Sequence, residues 1–295
     1  MASKPYDNEA WHGIRPPRRE IYVKGLKHSY TLFHLTDLHM GELSRQETKG
    51  MTPKRHSYAL QRQEFFAKEG FHSAERLDSF MSMAEGLDAD LVVMSGDMLD
   101  FPSDANVSLL KKAISQCAVP TLYVVGNHDW SFADDYHTRY ACALHLPKFE
   151  SISGQGVDIH WVEYEDLLVV AVNNSCDYVT EEVTQTFLQL CELGKPILLT
   201  LHVPLYEESI VTICKERWQG RVLLMGGGGI SGDLPATKAF YEAVALNPHT
   251  PVVAVLTGHL HFQRYSTLPS GVPQYITDKA YTGGCLVLDL KKSYD

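Results

Sequence analysis

The sequence has 295 residues, with 26 Lys and Arg against 36 Asp and Glu, so its formal net charge is −10. This excess of acidic residues argues against a nucleic-acid backbone as the main partner. The composition is 44% hydrophobic and 21% charged, with 21 Gly and 14 Pro, which excludes a collagen, a coiled coil and a disordered chain.

The N-terminus lacks the apolar core of a secretory signal, and no apolar run approaches the roughly 18 residues that a membrane span needs. We therefore expect a cytoplasmic protein with no membrane partner. The six cysteines are scattered without a CxxC pair, so we expect them to be reduced. The length suits one large core, and we expect a single domain over residues 1–295 with an N-terminal extension over residues 1–25.

Short apolar, β-branched runs alternate with amphipathic segments along most of the chain. The predicted strands cover residues 31–35, 91–94, 121–125, 167–172, 196–201 and 252–256. The predicted helices cover residues 74–87, 107–117, 181–193 and 236–246. This alternation predicts an α/β layered domain. Three later runs, broken by Pro and Gly, predict antiparallel strands that close a second sheet, at residues 262–268, 274–277 and 285–290.

Two stretches interrupt this alternation. Residues 41–72 are polar and much longer than an ordinary strand-to-helix connection, which predicts an inserted, cap-like segment. Residues 226–229 are four consecutive glycines. Such a run forms either a mobile surface loop or a nest of backbone N–H groups for a phosphate.

Five short motifs follow apolar runs, where loops at the carboxyl ends of strands converge on one crevice. They are Asp37-Leu38-His39, Gly96-Asp97, Gly126-Asn127-His128-Asp129, Leu201-His202 and Gly258-His259-Leu260-His261. In an extended segment, i and i+2 side chains point to the same face, so each DxH or HxH pair suits metal ligation. The set of carboxylates, imidazoles and one amide, without thiolates, favours Mn, Fe or Zn.

The number of these groups exceeds the needs of one four-coordinate ion. Two ions about 3.5 to 4 Å apart, sharing a carboxylate, would use all of them. Asp97, in the middle motif, is the natural bridging ligand.

The ordered set DxH, GD, GNHD, H and GHLH resembles the motifs of the calcineurin-like metallophosphoesterase family, over residues 37 to 261. The resemblance implies an α/β fold, a four-layer α-β-β-α sandwich of two mixed sheets with a dinuclear metal site at one edge. It implies that one metal is held by Asp37, His39 and His261. It implies that the other is held by Asn127, His202 and His259, with Asp97 bridging. His128 would be the acid at the leaving-group oxygen, and Asp129 would orient its ring.

These roles imply a phosphoester hydrolase with two divalent ions, in which a metal-bridging hydroxide attacks phosphorus. The motifs depart from those of protein phosphatases, purple acid phosphatases and lipid A-pathway diphosphatases. They are most similar to those of bacterial cyclic-nucleotide phosphodiesterases. The expected substrate is a small phosphodiester or phosphomonoester, with no duplex nucleic acid, and the oligomeric state stays open. Arg55 or Arg264 over the pocket would favour a dianionic monoester, such as a nucleotide or sugar phosphate. A catalytically silent scaffold is the other alternative.

Several conspicuous residues have simpler interpretations. His34, His145, His160 and His249 share no motif with a carboxylate and are expected to be structural or exposed. Trp130 and Tyr206 follow motif residues, and either stack on a substrate ring or pack beneath the site. His56 and His72, in the insertion, are not expected to reach the substrate.

Overall fold

The computed structural model describes residues 16–132, 134–136, 138–154 and 156–293. In this part of the chain two β-sheets pack face to face, and helices cover their outer faces. The strands are β1 (Arg18–Val23), β2 (Tyr30–Leu35), β3 (Leu91–Ser95), β4 (Thr121–Val124), β5 (Ile159–Glu163), β6 (Leu168–Val172), β7 (Ile197–Thr200), β8 (Val252–Thr257), β9 (Arg264–Thr267), β10 (Pro273–Ile276) and β11 (Leu286–Lys292).

The helices lie mostly between consecutive strands. They are α1 (Arg45–Gly50), α2 (Pro53–Lys68), α3 (Ser73–Gly86), α4 (Asp104–Gln116), α5 (Arg139–His145), α6 (Glu150–Ser153), α7 (Glu181–Cys191), α8 (Glu208–Arg217) and α9 (Pro235–Tyr241), with 3-10 turns at Leu146–Phe149 and Ala280–Thr282 and a π-turn at Glu242–Leu246. Polar caps start several of them, as where the Ser103 and Thr180 side chains accept backbone N–H groups of α4 and α7. Among the residues described, no helix combines the length and the apolar character that crossing a membrane requires.

The first sheet has the strand order β1-β11-β2-β3-β4. Strands β2, β3 and β4 are parallel, whereas β11 runs antiparallel to β2 and parallel to β1. The prediction that the last three strands all close the second sheet is therefore wrong for β11. Strand β1 also lies within residues 1–25, the expected extension, so residues 18–23 are part of the sheet. Residues 1–15 of that extension lie outside the described part.

The second sheet has the strand order β5-β6-β7-β8-β10-β9. Strands β6, β7, β8 and β10 are parallel, and the two edge strands, β5 and β9, are antiparallel to their neighbours. The prediction holds here, because β9 and β10 form an antiparallel pair that extends this sheet.

Three apolar layers hold the sheets and helices together. Leu32 and Leu288 of the first sheet meet Leu198 and Leu256 of the second between the sheets. Helices α3 and α4 cover the outer face of the first sheet, and α7 and α9 cover that of the second. All four core leucines are fully buried. This arrangement confirms the expected four-layer α-β-β-α sandwich.

The inserted segment, residues 41–72, is helical. Ser44 and Glu47 form a reciprocal capping box at the start of α1, and α2 begins at Thr52 with Pro53 in its first turn. Phe66 of α2 is buried, and its ring lies 5.5 Å from that of Tyr281. The insertion is thus packed onto the sandwich beside the ends of its strands.

Candidate metal centre

The seven predicted metal ligands follow the carboxyl ends of strands in both sheets. Those after β2, β3 and β4 of the first sheet are Asp37, His39, Asp97 and Asn127, and those after β7 and β8 of the second are His202, His259 and His261. Five of them have φ between 52° and 67°: Asp37, His39, Asp97, His259 and His261. Non-glycine residues rarely adopt this region, and such strain is typical of functional sites.

The first group joins Asp37 and His39 of the first sheet to His261 of the second. Asp37 Oδ1 lies 3.1 Å from His261 Nε2 and 3.8 Å from His39 Nε2. The two Nε2 atoms lie 3.2 Å apart. Three ligand atoms therefore face one point, as expected for one metal ion.

The second group joins Asp97 and Asn127 of the first sheet to His202 and His259 of the second. His202 Nε2 lies 3.2 Å from Asp97 Oδ2, 3.1 Å from Asn127 Oδ1 and 3.2 Å from His259 Nδ1. This set brings the remaining predicted ligands to a second point.

Asp97 lies between the two groups. Its Oδ2 is 3.2 Å from His202 Nε2 in the second group and 3.9 Å from His39 Nε2 in the first. Its Oδ1 accepts the backbone N–H of His128 at 2.8 Å. A carboxylate in this place suits the bridging ligand of a two-metal site.

The hydrogen bonding around the ligands fits bound cations. Asp37 Oδ2 accepts from the Thr36 hydroxyl and from the His259 N–H, whereas its buried Oδ1 has no hydrogen-bond partner. Burial opposes protonation of His39, but its hydrogen bond to Asp100 and the nearby Asp37 carboxylate raise its pKa to about 10. The carboxylates around His39 thus supply the negative charge that a divalent ion at this point would need.

His128, the predicted acid, is beside the ligands and more accessible than most of them. Its side chain is 26% exposed, and its ring lies 4.8 Å from that of His39. Its Nδ1 is 3.3 Å from the Asp100 carbonyl oxygen and 3.8 Å from the Asp100 carboxylate. Burial lowers the pKa of His128 below its ordinary value. A ring nitrogen of His128 lies within 4.8 Å of ligand atoms of His39 and Asp97.

Residues 30–263 match the model of the calcineurin-like phosphoesterases. The chain belongs to this family. A calcineurin-like phosphoesterase is a hydrolase of phosphoric esters with a dinuclear centre of divalent metals, and the two Asp/His groups described above lie where this chain would hold one.

Solved structures of similar fold include phosphatases. A dimetal phosphatase from Danio rerio is 14% identical, with a TM-score of 0.54 over 84% of this chain and 87% of that one. The protein TT1561 of Thermus thermophilus is 12% identical, with a TM-score of 0.51 over 87% and 92% of the two chains. At these identities the likeness shows the fold alone. No curated protein matches the sequence.

Asp129 of this phosphoesterase binds backbone groups instead of the ring of its neighbour His128. Its two carboxylate oxygens accept the backbone N–H groups of Asp97, Leu99 and Gly126, at 2.6 to 2.8 Å. The expectation that Asp129 orients the His128 ring is therefore wrong. Asp129 holds together the loops after β3 and β4, and Asp100 is the carboxylate that faces the ring. Burial and the nearby Asp97 raise the pKa of Asp129 to about 7.

The histidines and aromatic residues outside the motifs mostly pack. His34 bonds Thr277 and Ser95 in the core, and His160 bonds the Tyr123 carbonyl. His145 is buried and His249 is exposed, as expected. Trp130 is fully buried and donates to the Ser175 hydroxyl, so it packs beneath the site.

The glycine run forms a turn with internal hydrogen bonds, which argues against the phosphate nest, and Gly227 and Gly228 are exposed. Gly226 donates its N–H to Ile230, and Gly229 donates to Gly226. Two amides that a phosphate nest would present are thus used within the turn. A Cβ on Gly226 would lie 2.7 Å from the Tyr241 ring, so this position requires glycine. Tyr206 packs against the same turn, in agreement with the packing alternative and not with stacking on a substrate ring.

Arg55 is already paired. Its guanidinium bonds Asp134 and Asp135 and lies 4.6 Å over the Phe132 ring. It therefore does not lie free over the centre, as a phosphate-binding cation would.

Residues that the motifs did not single out surround the ligands. Tyr136 accepts a hydrogen bond from Asn127 Nδ2 at 2.6 Å, which turns Asn127 Oδ1 towards the second group. The rings of Tyr281 and Trp218 each lie 5.8 Å from that of His261. Asp100 accepts from His39 Nδ1 at 2.9 Å. Single Tyr and Trp residues outside the motifs follow no spacing that would mark them as part of the site. Only Asp100, three residues after Asp97, lies near enough to a motif for the sequence to suggest a role in the site.

Proposed function

We propose that this protein hydrolyses a small phosphodiester at a dinuclear centre held by the seven ligands, with Asp97 shared between the ions. The observation that carries the proposal is the position of Asp97 Oδ2, within 4 Å of a ligand nitrogen from each group. Mn, Fe and Zn all suit this set of carboxylate, imidazole and amide ligands.

When bound, two divalent ions would neutralise phosphate oxygens and lower the pKa of water to make a nucleophile at neutral pH. The residues of the chain supply the rest. In its protonated form, His128 gives a proton to the departing oxygen. Asp100 faces its Nδ1, so that Nε2 is left for the leaving group.

The charges around the centre favour a diester over a monoester. A dianionic monoester needs more positive charge than a monoanionic diester. The two insertion arginines beside the site, Arg55 and Arg62, are both bonded to aspartates. The net charge of the chain, −10, also disfavours a dianion. Monoester hydrolysis, of nucleotide or sugar phosphates, is the second candidate, and its support is the same ligand set.

The test compares bis(p-nitrophenyl) phosphate with p-nitrophenyl phosphate. Initial rates are measured with Mn, after chelation and gel filtration, and after Mn is restored. We expect hydrolysis that is lost with the metal, recovered with it, and faster on the diester. Faster hydrolysis of the monoester contradicts the diester preference. Hydrolysis that survives chelation contradicts the metal mechanism, and a metal-loaded protein without turnover on either substrate supports the scaffold alternative.

A further inference from the structure

A buried carboxylate, Asp100, connects the metal ligands to the inserted helix. Asp100 is fully buried, and its Oδ1 accepts from Nδ1 of His39, whose Nε2 points into the first ligand group. Asp100 also faces the ring of His128. A hydrogen bond to the outer nitrogen of a ligating histidine fixes both its tautomer and its orientation.

Arg62 of α2 binds the same carboxylate. Its Nε lies 2.7 Å from Asp100 Oδ2 and its Nη2 lies 2.8 Å from Oδ1, a bidentate pair. The guanidinium lies 4.9 Å over the ring of Phe66, one helical turn along α2. Two directional bonds and a packed aromatic face allow Arg62 little freedom.

The pairing has a consequence for the ligand. Without Arg62, the buried Asp100 carboxylate would lose both guanidinium bonds and keep only the hydrogen bond from His39, so it would rotate or admit water. Each change would weaken its bond to His39 Nδ1 and allow the ring to turn away from the first group. Arg62 lies in the inserted segment, residues 41–72. A strand-to-helix connection of ordinary length would not include this arginine.

We propose that Arg62 is a positioning residue of the metal centre, and that the inserted helix α2 acts as a buttress: through Asp100 it holds His39 in its ligating orientation. The insertion is then part of the metal-binding apparatus, not only a cover over it. The inference rests on the proposed dinuclear site, and its main readout, Mn affinity, is independent of turnover.

The test uses Arg62→Ala with Arg18→Ala as a matched control. Arg18 also makes a bidentate pair with a fully buried aspartate, Asp289, but at the opposite end of the first sheet, where β11 pairs with the start of β2. Mn binding to metal-stripped protein is measured by titration calorimetry, and folding is followed by the melting temperature. Millimolar guanidinium, far below denaturing concentrations, is added to refill the truncated site. Urea, which has a similar shape and no charge, is the control additive.

We expect Arg62→Ala to lose about 10- to 100-fold in Mn affinity at the first site, the usual effect of removing an outer partner of a ligand. The Mn affinity of Arg18→Ala should stay within about twofold of wild type, even if its melting temperature falls as far as that of Arg62→Ala. Guanidinium, but not urea, should restore part of the affinity to Arg62→Ala alone. Arg62→Lys keeps the charge without the fork, and should fall between wild type and Arg62→Ala.

Equal Mn affinities in the Arg62 and Arg18 variants would overturn the proposal, because Arg62 would then stabilise only the fold. If Arg62→Ala does not fold, wild-type Mn affinity in Arg62→Lys overturns it. A wild-type protein that binds Mn but hydrolyses no phosphoester refutes the proposed function, and the affinity comparison still decides the role of Arg62. A wild-type protein that binds no Mn overturns both.

Discussion

Two of the four imidazoles in the candidate centre, His39 and His202, have one ring nitrogen bonded away from the ligand groups. His39 Nδ1 bonds Asp100, and His202 Nδ1 lies 2.8 Å from the Ser95 carbonyl oxygen. Both partners accept hydrogen bonds, so each Nδ1 carries a proton and each Nε2 is directed at the site. These two rings are thus oriented by the chain itself.

His128 is expected to act late, on the leaving group. In His128→Ala we predict Mn affinity close to that of wild type, because none of the assigned ligands is removed. Turnover should fall about 10²- to 10⁴-fold on an alkyl ester, whose oxygen needs a proton, and much less on a nitrophenyl ester. The measurement is kcat for a series of aryl and alkyl phosphodiesters. A uniform loss across the series would refute the acid role.

The second prediction at this scale concerns stability in acid. Burial lowers the pKa of His160 to about 4, whereas an unfolded chain titrates near 6.5. The folded ring stays neutral while the unfolded ring takes up a proton, so His160 costs stability as pH falls from about 6.5 to 4. We predict that His160→Gln loses less unfolding free energy than wild type between pH 7.5 and 5, by urea denaturation. Parallel pH profiles would contradict this.

The sequence predicted the ligands better than the residues that support them. Motif spacing singled out seven candidate ligands, and the structure brings them together. The predicted role of Asp129 was wrong because it assumed that a residue next to His128 in sequence contacts its ring. Successive side chains in a tight turn point in different directions. The Arg62–Asp100 pair spans 38 residues, and no local pattern encodes it.

At the scale of elements, the loops that follow the strands pack so closely that the backbone of one loop touches side chains of another. A Cβ on Gly258, in the loop after β8, would lie 1.8 Å from Thr36 Oγ1 and 2.4 Å from Asp37 Oδ2. We predict that Gly258→Ala displaces Asp37, and that Mn affinity and turnover fall at least tenfold. Gly50→Ala is the control, since a Cβ there meets nothing within 4 Å. Wild-type Mn affinity in Gly258→Ala would show that the loop yields without moving the ligand.

The prediction that the C-terminal strands close one sheet was wrong for β11 alone, and the reason lies in how strands pair. Strand β11 is buried over Leu286–Leu290, and such a run fits the centre of either sheet. Periodicity predicts that a strand exists, but not which strand it pairs with. Its partners, β1 and β2, lie more than 250 residues earlier, as in the pairing of Arg18 with Val287.

Over the whole molecule, the candidate metal centre lies where the two sheets meet. Each ligand group takes residues from the loops of both, as Asp37 with His261 and Asp97 with His202 illustrate. Bound ions would therefore hold the sheets together at this edge. The alternation of strands and helices predicted the layers, and the motif order predicted that they meet here, but the insertion's contacts with the centre depend on tertiary packing.

Metal removal should therefore destabilise the whole fold. An ion at 100 times its Kd contributes about 2.7 kcal/mol, so stripping should lower the melting temperature by several degrees. The measurement is thermal unfolding with Mn, with chelator, and with Mn restored, and stripped protein given more chelator is the control. An unchanged melting temperature in protein shown to have bound Mn would contradict a centre that joins the sheets.

The most direct measurement is the Mn content and diester turnover of wild type and Asp97→Asn, on the same samples. We predict two Mn per chain and chelator-sensitive turnover in wild type. In Asp97→Asn we predict the loss of at least one Mn and of most turnover, because a ligand shared by both ions has no substitute. An Asp97→Asn protein that keeps two Mn and full turnover would contradict the dinuclear account.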